Sequence, residues 1–248
     1  MLVTCYGAGP DVFFPNAQEI LGRKAELCAR RGILLRVPID NEIDLHSPDA
    51  ATRVYRANRA MMMDCDICIA NLSPFRGPSA DDGTSFEAGF FDAMRRPLFV
   101  YSNAAGNLAD RTRAFLVGNP DPLNIESFGL PTNLMMPCAA LDRGGLPIFT
   151  ATEKDRAYDD LAVFERAVGE VAERCRPIGH LRAAVSSRVG DEAAVAWALR
   201  LQYAELDGAT PLEVAIADPS AVSSLMGLVT AQASGPGLLR NAHRPSAT

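Results

Sequence analysis

Through the first 104 residues, short apolar runs alternate with longer segments whose apolar residues recur at helical spacing. The short runs are "MLVTCYGAG" at the start, "ILLRVPID" from Ile33, "CDICIANL" from Cys65 and "PLFVYS" from Pro97. Each is too short for a helix, which predicts strands. "CDICIANL" is almost continuously apolar, as expected of a central parallel strand covered on both faces. Between the runs, "NAQEILGRKAELCARRG" repeats Ile20, Leu21, Ala25, Leu27 and Cys28 along a helix, with Gly32 as its stop. "SPDAATRVYRANRAMMMD" predicts a second helix with Ser47 at its N-cap. "TSFEAGFFDAMRR" predicts a third, and its Thr84-Ser85-Phe86-Glu87 start has the pattern of a capping box. This βαβαβαβ rhythm predicts a doubly wound parallel sheet in an α/β/α sandwich, with ligands at the carboxyl ends of the strands.

The pattern loosens after Ala104. Gly, Pro and Asn crowd "GNPDPLNIESFGLPTNLMMPCAALDRGG", which predicts a long irregular lid or interface. "TEKDRAYDDLAVFERAVGEVAERC" then reads as an amphipathic helix with Tyr158, Leu161, Phe164, Val168 and Val171 on one face. Beyond Pro177 the chain is Ala-rich and without strand signals, which sets a domain boundary near 177–188. The expected organisation is a domain over 1–176, a small all-α segment over 188–233 and a disordered tail over 234–248. The all-α segment reads as three short helices joined at "LDGATP" and "ADPS".

Charge and cysteine usage then exclude several classes. A net charge of −6 argues against nucleic acid as a partner, because phosphate contacts need a basic face. No apolar run approaches the ~18 residues of a spanning helix, and no basic flank precedes the first strand as in a signal peptide; the expectation is no membrane and a cytoplasmic setting. Of six Cys, Cys65 and Cys68 form a CxxC, but inside a strand residues three apart point to opposite faces. With no second CxxC or paired His, the expectation is no metal. The three His are far apart and no Gly-x-Ser-x-Gly elbow is present, so a hydrolase triad has no support.

The residues that carry chemistry lie at the ends of predicted strands. Gly7 and Gly9 close the first strand, but Val12 stands where a dinucleotide fingerprint needs a third Gly; they serve either a tight turn or backbone approach to a ligand. Asp66, beside a buried strand, either works in a site or caps a neighbouring backbone group. Glu87 either closes the capping box on Thr84 or serves as a nucleophile kept ionised by the helix start. Asp81, six residues upstream, is placed to pair with it, and two carboxylates about 5 Å apart are the apparatus of retaining glycosyl transfer.

Four separated stretches, "AGPDVFFP", "VPIDN", "MDCDICIANLSPFRGPSADDGTSFEAGFFDA" and "FGLPTNLM", together resemble the nucleoside 2-deoxyribosyltransferase family over about residues 1–175. The resemblance implies a flavodoxin-like domain and a cofactor-free, homo-oligomeric enzyme of nucleotide salvage. Its substrates are a 2′-deoxynucleoside and a free nucleobase, exchanged by double displacement with retention. Glu87 is then the nucleophile, Asp81 the acid beside the base, Asp66 a sugar- and base-region residue and Tyr6 the group that orients the nucleophile. Gly9, Phe13, Asp40, Asn71 and Gly83 fall on substrate-binding motifs, and Asn133 on the residue that reaches a neighbouring subunit's sugar 5′-hydroxyl. Gly7 stands where the family carries a larger residue, and about 70 residues follow where family members often end. The segment from Asp191 is similar to the toxin-binding domain of Xre, MbcA and ParS type antitoxins in Trp197, Gly208, Thr210, Pro211, Leu212 and Glu213, which implies a protein partner for these helices. Two alternatives stand beside the transferase: an N-glycoside hydrolase of nucleosides, nucleotides or NAD, and a nucleotide-sensing, protein-binding module.

Overall fold

A computed structural model describes residues 3–40, 43–44, 46–118 and 120–234, with the side chain of Asp40 and the tail from residue 235 outside the described residues. Two compact units divide the chain, Thr4–Ala172 and Glu173–Thr248 with Met1–Val3.

In the first unit the four predicted strands and a short fifth form one sheet. They are β1 (Val3–Ala8), β2 (Ile33–Arg36), β3 (Ile67–Asn71), β4 (Leu98–Ser102) and β5 (Phe149–Thr150), in the order β2-β1-β3-β4-β5. Registers are parallel, with Ala8 opposite Ala70 and Asn71 opposite Tyr101. Every residue of β3 and β4 is buried, which explains their near-continuous apolar sequence up to the polar Asn71 and Ser102 at their carboxyl ends. The chain leaves β1 toward one edge and β3 toward the other, so the loops after these strands part and leave a crevice at their carboxyl ends.

The helices of this unit are α1 (Ala17–Ala29), α2 (Ala50–Asp64), α3 (Asp82–Ala93), α4 (Leu108–Phe115), α5 (Met135–Gly144) and the beginning of α6 (Ala162–Val189). A core of Tyr6, Met61, Met62, Cys65, Cys68, Phe91, Leu98, Met136 and Ala140 joins the sheet to α2, α3 and α5. The CxxC is therefore core material, and burial pushes the Cys68 thiol well above its ordinary value, away from the reactive thiolate.

Several boundaries differ from the sequence expectations. Asp49 rather than Ser47 precedes α2, and the Ser47 hydroxyl donates to the Asp44 carbonyl. Part of the expected irregular region is helical, because Pro137 falls in the first turn of α5, where its missing N–H has no intrahelical partner to lose. The helix expected from residue 152 begins at Ala162, and it continues through Pro177, where a break was expected. Tyr158 lies ahead of α6 and stacks on Phe14 with ring centroids 4.1 Å apart.

In the second unit follow α7 (Glu192–Ala198), α8 (Pro211–Ala217) and α9 (Val222–Ala233). Here the Thr-Pro-Leu-Glu motif is a helix start. Thr210 Oγ1 accepts the Glu213 N–H, Glu213 Oε2 accepts the Thr210 N–H, and Pro211 takes the first helical position. No single helix among the described residues is long and apolar enough to cross a membrane.

Buried Arg96 ties α2 to the amino end of β4: its Nη1 donates to the carbonyls of Met62, Met63 and Cys65 at 3.0, 2.7 and 2.6 Å. These carbonyls lie at the end of a helix, where intrahelical donors run out. Arg96→Met should lower unfolding free energy by about 2–3 kcal/mol in denaturant titration, while any activity per folded molecule, at the opposite end of the sheet, is unchanged.

Candidate active site

Tyr6 is wholly buried in the middle of β1, and its side chain reaches α3. Its phenol donates to Glu87 Oε1 at 2.5 Å, and the other Glu87 oxygen has no hydrogen bond among the described residues. Burial, reinforced by the Glu87 charge, keeps this phenol protonated far above its ordinary range, so it acts as a fixed donor. Glu87 is half-buried, and its carboxyl is pushed up to about 7. Burial is the main cause and the Asp81 charge adds to it, while the Tyr6 bond opposes both.

The start of α3 departs from the capping-box expectation. Asp81 is the N-cap, and its Oδ2 accepts the Thr84 N–H at 3.0 Å and the Thr84 hydroxyl at 3.3 Å. With the Thr84 amide already taken, Glu87 is free of the box. As the sixth residue of α3 it lies in the second turn, beyond most of the reach of the helix dipole. The expectation that the helix start keeps it ionised is therefore corrected: desolvation wins, and the carboxyl is held near neutrality. Gly83 has a steric reason, since a Cβ there would sit 3.0 Å from Asp81 Oδ2.

The crevice floor is built from the loop ends of β1 and β3. A Cβ on Gly9 would approach Asp11 Oδ2 to 2.6 Å and Asn71 Cβ to 2.8 Å, so only glycine lets these strand ends close up. Asn71, at the end of β3, donates from Nδ2 to Asp11 Oδ2 at 3.2 Å and accepts the Ser73 N–H and hydroxyl on Oδ1 at 3.1 and 2.6 Å. Above this floor Phe13, 56% exposed, stacks on Phe75 with centroids 5.2 Å apart, and the Arg76 guanidinium lies 4.8 Å from the Phe75 ring centre and 5.6 Å from that of Phe13. Arg76 holds a positive φ of 54°, which Gly77 beside it does not relieve.

The geometry thus brings together Tyr6, Glu87 and Asp81, and separately Gly9 and Asn71 on the crevice floor, with Gly83 at the base of α3 and Phe13 on the rim. Asp66 is not part of this group. It precedes β3, five residues and roughly 16 Å of strand away from Asn71, and its Oδ2 accepts the Thr4 N–H and hydroxyl at 3.0 and 2.7 Å. These bonds match the capping alternative. Asn133 donates to Glu126 Oε2 at 2.8 Å and accepts the Met135 N–H at the start of α5. Asp40 ends a 3-10 turn after β2, and its side chain lies outside the described residues. Sequence reasoning missed Asp11, Ser73, Asn103 and Lys24. For Lys24 a signal existed, because it shares the buried stripe of α1 with Ile20, Leu21 and Cys28.

A family model described as nucleoside 2-deoxyribosyltransferase matches residues 5–135. The chain is similar to a solved 2-desoxiribosyltransferase from Leishmania mexicana, with 29% identity, a TM-score of 0.53 and coverage of 69% of this chain and 97% of that one. It is also similar to an uncharacterised protein of Schizosaccharomyces pombe, 31% identical over 115 residues that make up 44% of this chain. The matched stretch spans only 54% of that relative's length.

Two measurements check this geometry. Folded Glu87 ionises near pH 7 rather than its ordinary 4.5, so raising the pH between those values favours the unfolded chain. The melting temperature of Glu87→Gln minus that of wild type should therefore grow from pH 4.5 to pH 7 and level off above; the same difference at pH 5 and pH 8 would contradict the raised value. Asp66→Asn should lower the melting temperature and leave kcat per folded molecule within about twofold, as for a residue remote from the chemistry.

Proposed function

On the premise that the chain belongs to the nucleoside 2-deoxyribosyltransferase family, we propose that it exchanges the base of a 2′-deoxynucleoside by double displacement through Glu87. The observation that carries this reading is the Tyr6–Glu87 contact: one carboxylate oxygen held by a buried phenol, the other open, with Asp81 near enough to raise the Glu87 pKa.

In the first step the open oxygen of Glu87 bonds to C1′ while the C1′–N bond breaks. The bonding electrons go to the base nitrogen, and the proton that neutralises the departing base comes from the Asp81 carboxyl. A second base then attacks C1′ with a ring nitrogen and loses its proton to Asp81, while the C1′–O bond returns its electrons to Glu87. Two inversions give net retention. Asp81 Oδ2 is occupied by Thr84, so its other oxygen is the one available for proton transfer.

The raised pKa of Glu87 supports the reading for an energetic reason. A desolvated carboxylate is costly in the empty site, and that cost is relieved as oxocarbenium-like positive charge develops on the sugar above it. The stabilisation is then larger in the transition state than in the ground state, which is the condition for catalysis. The reading extends to Asn71, Gly9, Gly83, Phe13 and Asp40 as the surroundings of sugar and base, and to Asn133 as a contact to the 5′-hydroxyl of a neighbouring subunit in a homo-oligomer.

Mixing the protein with deoxyadenosine and a second free base should give the exchanged nucleoside, and intact mass after donor alone should show a deoxyribosyl adduct on the peptide holding Glu87. Glu87→Ala should lose kcat by on the order of 10³-fold or more while remaining folded. Release of free sugar without acceptor would make water the acceptor and the protein a hydrolase; no adduct and no turnover on any nucleoside would end the glycosyl-transfer reading. Because the nucleophile must be ionised, the rising limb of kcat/KM against pH for the free enzyme should have its midpoint near 7.

A further inference from the structure

Lys24 is buried on α1, with 4% of its surface exposed. Its Nζ donates to Asp11 Oδ1 at 2.5 Å and to the Tyr101 hydroxyl at 2.7 Å. Asp11 is itself 3% exposed, and its second oxygen accepts from the Asn71 amide at 3.2 Å. That contact fixes which end of the Asn71 amide faces which way, so Oδ1 is left to receive the Ser73 N–H and hydroxyl. The Ser73 oxygen in turn accepts the Asn103 N–H at 2.9 Å. One continuous chain of hydrogen bonds thus runs from α1 across the carboxyl ends of β1, β3 and β4. It passes through Ser73, the second residue of the loop that delivers Asp81 to the start of α3. Farther along, the loop is tied by the Phe75 N–H to the Ser79 carbonyl and by Arg111 Nε to the Pro78 carbonyl.

Stability alone does not account for this arrangement. A buried ion pair gains little or nothing over a well-packed apolar pair of the same volume. What the charge supplies, and an apolar pair cannot, is a directional acceptor for one side of an amide. We propose that Lys24 is a positioning residue for proton delivery: through Asp11, Asn71 and Ser73 it sets the loop that aims Asp81 at the departing base. This rests on the glycosyl-transfer reading above.

The test compares two donors. Deoxyguanosine needs a proton on its base to leave, whereas N7-methylated deoxyguanosine carries a cationic base that departs neutral without one. The double variant Asp11→Leu/Lys24→Met removes both charges, so it strands no ion, and it also removes the acceptor for Asn71. It should melt at or near the wild-type temperature and lose at least about 10-fold in kcat/KM on deoxyguanosine, in line with the rate cost of a small misplacement. On the methylated donor it should stay within about threefold of wild type, since no proton is required. Ser73→Ala, which cuts the same chain at the loop and strands no ion, runs beside it and should show the same split, which keeps the test decisive if the double variant does not fold. Parallel losses on both donors, or no loss on deoxyguanosine, overturn the inference. Wild-type inactivity on both donors would remove the glycosyl-transfer reading and this one with it, whereas an active wild type with parallel losses removes only this one.

Discussion

A carboxylate withdrawn from water and gripped by one buried phenol is the contact on which the site turns. Tyr6 makes that contact possible only because it sits in β1 at the middle of the sheet, with no exposed surface and its ring packed 6.0 Å from Phe91 of α3. Strand and helix are therefore locked together by apolar packing, and the 2.5 Å bond to Glu87 is held in place by that packing. The bond lowers the cost of ionising Glu87 while burial raises it, and burial prevails. A group poised near neutrality results, sensitive to any positive charge placed before it.

The sheet order supplies the second requirement, which is space. Because the chain departs β1 and β3 in opposite directions, their loops part at the switch point, where doubly wound sheets open a crevice. Two glycines make its geometry sterically possible. At Gly9 the strand ends close against Asp11 and Asn71, and at Gly83 the first turn of α3 admits the Asp81 carboxylate. The aromatic pair Phe13 and Phe75, topped by Arg76, forms a rim with flat faces and one positive charge.

Buried charge in this chain goes to orientation as much as to cohesion. Arg96 gathers three carbonyls at the end of α2, which is cohesion. The Lys24–Asp11 pair instead hands its direction to an amide and then to a hydroxyl, which is orientation. Arg96 and Lys24 sit at opposite ends of the sheet, and of these two only Lys24 adjoins the crevice.

Much of this was legible in the residues. Period and run length were enough for four of the five strands and for their doubly wound character; spacing paired Asp81 with Glu87, while Tyr6 came only through the resemblance of its motif to the family's. Local patterns failed where two partners compete for one group. Thr84-Ser-Phe-Glu87 and Thr210-Pro-Leu-Glu213 have the same spacing, yet only the second closes a capping box, because Asp81 reaches the Thr84 amide first. Asp66 looked as available as Asp81, but the Thr4 amide and hydroxyl take its oxygen from across the sheet. The pattern along the chain determined which elements form and which faces they bury, since those depend on neighbours a turn or a pleat away. Which hydrogen bond each polar side chain makes was decided only in three dimensions, since the phenol that holds Glu87 lies 81 residues from it and arrives by the folding of the sheet.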